Sequence, residues 1–169
     1  MTVSPARVDA LALVTAHYFG ITEGLDPVLA DWVDGDAGHE RSRILAGQLA
    51  FWAATLFTLT CQARGLDPER TRLAVPIPAG SDPGVQQDAT AAVVAVLAHR
   101  GDILEQVYRN RLTADIPAAR RREYLLAATR IAANLVEQAA ERQPTPGALL
   151  ERLGAVCAGP APAGPTPPR

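Results

Sequence analysis

Lysine is missing from this chain altogether, and all 16 basic residues are arginine. With abundant alanine, glycine and proline, this reads as the coding bias of a GC-rich gene and carries no functional signal. Cysteine is nearly missing too. Cys61 and Cys157 stand far apart, without the close spacing of metal centres and dithiol redox sites. Cys61 lies in an apolar run, where a free thiol behaves as a small core residue. A reducing, cytoplasmic setting is therefore expected. Aromatic residues make up 5% of the chain, and β-branched residues are sparse beside alanine and leucine. Those absences remove the usual strand formers and point to an all-α fold.

Several functional patterns are absent as well. There is no Gly-x-Ser-x-Gly, no Walker-type and no dinucleotide-type glycine motif, so hydrolase, nucleotide-binding and Rossmann readings have no support. Nor is there a surplus of cations, since the formal net charge is −2. General nucleic-acid and membrane-surface binders carry such a surplus, so neither partner is expected. The opening MTVSPARVDA lacks the basic stretch followed by an apolar stretch of a secretory signal.

What is present is helical punctuation. A chain of 169 residues suits one domain with a real core, expected over residues 1–158. Ser4-Pro5 marks a helix start, and Val8, Leu11, Val14 and Tyr18 follow at helical spacing up to Gly20. Gly-Leu-Asp-Pro occurs at residues 24–27 and again at 65–68. In each copy the glycine can close one helix while Asp and Pro open the next. A short second helix carries Val28, Leu29, Trp32 and Val33. Helices are also expected over 85–100, 103–112 and 117–142, the last with Tyr124, Leu125, Ala128, Ile131, Ala132, Leu135 and Ala139 on one side. Whether His99-Arg100-Gly101-Asp102 breaks or continues a helix is left open. A final helix carries Leu149, Leu150, Leu153 and Val156. Residues 159–169, GPAPAGPTPPR, read as a disordered or polyproline-like tail. The expected architecture is thus six or seven helices around one buried helix.

That helix is the run from Ile44 to Ala63, which contains no charged residue and has large side chains at every angle. A helix apolar all round is either buried on all sides or crosses a membrane. Gln48, Gln62, Gly47 and the threonines at 55, 58 and 60 favour burial, with their polar groups bonded inside the fold. After it, the proline-rich segment Arg72–Gly84 cannot be helical. Its length exceeds what antiparallel neighbours need. It is either a crossover along the bundle, the favoured reading, or a lid.

Charge is unevenly spread. Residues 1–40 hold seven acids against Arg7, whereas residues 100–142 hold eight arginines against six acids. Self-complementation follows, within one chain or between copies. Arg120, Arg121 and Arg122 are the candidate cations, expected against the acidic segment between Asp26 and Glu40 of this chain or a neighbour, with Asp34, Asp36 and Glu40 in DGDAGHE as candidate acids. As a calcium loop the acidic turn fails, because its fifth and twelfth positions are Gly38 and Leu45. The three histidines form no helical zinc or di-iron pattern, so no metal and no cofactor is expected. His99 and Asp102 would face each other on a continuous helix, as a general base and its orienting carboxylate do. Three functions are therefore in play. The first is a non-enzymatic protein acting through protein contacts, with a homodimer expected and a protein partner possible. The second is a small-molecule site lined by Tyr18, Phe51, Trp52 and Phe57. The third is an enzyme built on His39, Glu40, His99 or Asp102.

Overall fold

The computed structural model of the chain describes residues 4–21, 23, 25–140 and 146–158. Among them are seven helices and no strand: α1 (Pro5–Tyr18), α2 (Leu25–Val33), α3 (Gly38–Ala63), α4 (Pro83–Leu97), α5 (Gly101–Arg111), α6 (Ala118–Ala140) and α7 (Pro146–Ala158). The tail at 159–169 and Gly24, in the first Gly-Leu-Asp-Pro copy, lie outside the described residues.

The helix ends obey local rules. Pro5 opens α1 with its fixed φ, while the Ser4 hydroxyl makes no capping bond. Gly20 and Gly65 close α1 and α3 at φ +71° and +68°. Beyond each glycine the next amide returns to the last helical turn, Ile21 to the Ala16 carbonyl (2.8 Å) and Leu66 to the Cys61 carbonyl (2.9 Å). Both are Schellman closures, which need a left-handed residue at the position glycine fills most cheaply. Asp82 caps α4 by accepting from the Gly84 amide at 2.8 Å.

Two helices share the centre. α3 packs against α1, α2, α4 and α6, and α6 touches every other helix. Tyr124, Leu125, Ile131, Leu135 and Val136 of α6 are buried, as are its alanines at 127, 128, 132, 133 and 139. Their small side chains let neighbours pack close on nearly all sides of α6. The sequence gives α6 a single apolar side because alanine is a weak hydrophobic signal, yet in a dense bundle it is an interior residue.

α3 departs from its expected burial. Leu45, Leu49, Trp52, Ala53, Leu56 and Thr60 are covered, but Ile44, Phe51 and Leu59 are 54%, 42% and 38% exposed. These lie seven and eight residues apart, so with Gln48, Thr55 and Gln62 they form one stripe along the helix. The helices packed on α3 occupy its other sides. Its threonines are satisfied without outside partners: Thr55, Thr58 and Thr60 each donate to the carbonyl four residues back, at 2.9 Å. Among the described residues α3 is the one helix long and apolar enough to cross a membrane. Since 61% of its most apolar stretch is packed inside the bundle, its burial is that of a core helix.

Polar ties fix the rest. The Trp32 indole donates to Asp9 at 2.9 Å, joining α2 to α1, and Ser42 is buried with its hydroxyl against the Gly38 and Trp32 carbonyls. Arg111 pairs with Asp88 at 2.7 Å, joining α5 to α4, and Arg43 pairs with Glu105, joining α3 to α5.

The proline-rich segment runs as an extended strap between α3 and α4. Leu73 is buried and Val75 half-buried, while Arg72, Ala74, Pro76, Ile77 and Pro78 face solvent. Among the described residues no hydrogen bond ties Arg72–Ile77 to a helix. The first such tie comes at Ser81, whose hydroxyl accepts from Arg130 at 3.0 Å. The segment connects α3 to α4 and is pinned by two apolar side chains before its polar ties begin at Ser81.

Candidate functional site

Arg120, Arg121 and Arg122 start α6, and each meets different surroundings. Arg121 is buried and donates to the Val33 carbonyl (2.8 Å) and to the Ile116 carbonyl. It thereby satisfies the C-terminal end of α2, where a cation is favoured by the helix dipole. Arg122 pairs with Asp26 in the first turn of α2, and Arg120 pairs with Glu123 at 2.9 Å on the surface. The expected acidic segment thus meets these arginines at Asp26, while its turn at 34–40 shows no ion pair with them among the described residues. Asp34, Asp36 and Glu40 are exposed, and the Asp34 carbonyl accepts from Arg41. No cluster able to hold a metal ion occurs among the described residues.

The four aromatic candidates do not share a cavity. Trp52 and Phe57 are core residues. Phe51 borders a surface groove between α3 and α4, on the exposed stripe of α3. The Arg7 guanidinium lies 5.5 Å and 5.3 Å from the Phe51 and Trp52 ring centroids, a cation–π arrangement. Tyr18 opens instead on a cleft between α1, α6 and the strap.

The histidine–carboxylate pairing does not form. α4 ends at Leu97, and His99 takes a left-handed conformation at φ +53°. Asp102 begins α5 and holds Arg100 through both oxygens, at 2.9 Å and 2.7 Å. The chain reverses between the two residues, so helical spacing does not apply. The Arg100 hydrogen bonds keep the Asp102 carboxyl at about 2, well below the ordinary range. His39 and Glu40 lie in the first turn of α3, whereas His99 borders its last turns beside Thr58 and Gln62.

The largest concave region surrounds the strap. A cleft of 580 Å³ lies on its α1 side and one of 710 Å³ on its α4 side, and Val75 and Pro76 border both. A smaller cleft of 240 Å³ lies where the strap meets α4. These are ligand-sized volumes. Arg130 borders the first and the smallest, and Gln86 the smallest and the second. Gln86 is only 2% exposed, and neither atom of its carboxamide has a hydrogen-bond partner. A buried amide left so is costly, which makes it the most informative polar group in the region. His17, in the α1-side cleft, has its pKa lowered by burial first and by the Arg130 charge second. Its imidazole is neutral at pH 7.

Gln86, Arg130, His17 and Asn134 carry no motif. His17, Arg130 and Asn134 share the α1-side cleft and Gln86 lies on the α4 side of the strap, and the one sequence signal for them is the length of that proline-rich connection.

The fold and its clefts define a class: an all-helical bundle with an extended strap laid across one face. No family model matches the chain, and no curated protein or solved structure shows significant similarity to it.

Proposed function

We propose that this is a non-enzymatic helical protein that acts through protein contacts, and that its first partner is a second copy of itself. One observation carries the reading: the uncharged stripe of α3, on which Ile44, Phe51 and Leu59 are exposed. Large apolar groups aligned along one helix, with no charge from residue 44 to 63, suit helix-on-helix docking. The polar members of the stripe, Gln48, Thr55 and Gln62, can bond to their own kind, which favours a self-complementary two-fold contact. A stripe about 27 Å long and about 10 Å wide covers only a third of the about 800 Å² per partner of a standard interface. Val8 on α1 and Val94 on α4, each about half exposed on helices packed against α3, are expected to complete it.

Sedimentation equilibrium at high micromolar concentration tests this. The wild-type chain should sediment at twice its monomer mass, and Phe51→Glu and Leu59→Glu should each sediment as monomers. Gln87→Glu, an exposed change on α4, should leave the dimer intact. A wild-type monomer at that concentration would overturn the reading.

A further inference from the structure

We propose that the cleft between α1, α6 and the strap binds an extended, proline-alternating peptide, and that its occupant is residues 159–168 of this same chain. The strap reads Pro76-Ile77-Pro78-Ala79-Gly80. The tail reads Pro160-Ala161-Pro162-Ala163-Gly164, the same Pro-x-Pro-Ala-Gly pattern. Proline at every second position rules out a helix and leaves an extended backbone whose carbonyls have no internal partners. A site for such a chain needs apolar or aromatic surface for the rings and donors for the carbonyls.

The 580 Å³ cleft supplies both. Tyr18, Pro76 and Pro78 form its apolar wall, and His17, Arg130 and Asn134 provide the donors. The Asn134 side-chain oxygen already accepts from Gln138 at 2.8 Å, which leaves its NH₂ group to donate. Arg130 uses one N–H on Ser81 (3.0 Å) and keeps others. His17, neutral because of burial and Arg130, offers one ring N–H. The strap gives a second indication. Among the described residues no hydrogen bond ties Arg72–Ile77 to a helix, so Val75 and Pro76 border the cleft without using its donors, and a second extended segment can lie beside them.

Geometry selects the tail. α7 ends at Ala158 and packs on α1 and α6, the two helices that wall the cleft. From Ala158 to Gly164 an extended chain covers about 19 Å at about 3.1 Å per residue, more than the about 11 Å of α6 from Arg130 to Glu137 that borders the cleft.

The test places a nitroxide on Thr166→Cys in a full-length Cys157→Ser chain, with a mass spectrum confirming that buried Cys61 stays unlabelled. Amide signals of residues 16–18, 130–137 and the non-proline residues of the strap (Val75, Ile77, Ala79 and Gly80) should lose more than half their intensity, while those of α5 keep theirs. Tyr18→Ala should restore the lost signals. Pro160→Ala with Pro162→Ala, which leaves the bundle unchanged, should do the same. Broadening no stronger at the cleft than at α5 would overturn the proposal. So would equal broadening when the nitroxide and the observed amides are on different chains, since the occupant would then be another copy's tail.

Discussion

His99 occupies a position that the ends of α1 and α3 give to glycine. Its amide returns to the Val96 carbonyl at 3.2 Å and the Arg100 amide to the Ala95 carbonyl at 2.8 Å, the same closure that Gly20 and Gly65 make. At φ +53° its side chain is strained, where glycine would not be. His99→Gly should therefore stabilise the fold by about 0.5–1 kcal/mol, the relief of strain exceeding the added freedom of the unfolded chain. Urea denaturation reads this, and a loss of stability would mean that the imidazole makes a stabilising contact in the groove it borders. Gly38 has the opposite sign. A Cβ there would overlap the Val33 carbonyl, which is backbone and already bonded to Arg121. Gly38→Ala should cost about 2–4 kcal/mol by forcing α2 away from α3. A midpoint within error of wild type would show that the α2–α3 joint gives way easily.

At the scale of elements, the strap is an extended run that helix packing alone would not retain. Leu73 is its one buried anchor, with Val75 half-buried. Leu73→Ala should cost about 2–3 kcal/mol if the strap stays down after losing its packing. If the strap lifts instead, the global midpoint should hardly move while the Val75 and Ile77 amides exchange faster still. Hydrogen exchange beside urea denaturation separates the two. The existence of this connection was legible in its prolines, as were the helix start at Pro5 and the stops at Gly20 and Gly65. The start of α4 was not, since the segment read as non-helical to Gly84 and the helix as beginning at Val85, whereas Asp82 caps a helix that Pro83 opens. Two further features were not. Alanine repeats concealed how central α6 is, because their burial depends on how closely neighbours approach and not on side-chain hydropathy. The open side of α3 was hidden for the converse reason: Ile44, Phe51 and Leu59 are as apolar as their buried neighbours, and only the placement of the other helices distinguishes them. The site around the strap was illegible for a third reason. Gln86, Arg130 and His17 are ordinary residues on three separate helices, and only the strap's path gives Arg130 a cleft shared with each of the other two.

For the whole molecule, the uneven charge of the sequence is resolved partly inside one chain, through Arg122 with Asp26 and Arg111 with Asp88. Near neutral pH the group to follow is His17, whose pKa is lowered. Tyr18, Arg130, Asn134 and Glu137 border the same cleft. Burial and Arg130 lower the His17 pKa below the unfolded value of 6.5, so between the two values the unfolded chain binds more protons than the folded one. Stability must then rise with pH across that window. On acidification it starts to fall near pH 6.5 and stops falling from this cause once the folded imidazole is also protonated. Asp102, held at about 2 by Arg100, acts only in stronger acid and does not enter the window. His17→Gln keeps a polar side chain without the titration. Its urea midpoint should change less than that of the wild type between pH 7.5 and 5.0. Equal changes in both chains would show that the folded imidazole accepts its proton freely, and that the cleft opens to solvent at no cost to the bundle.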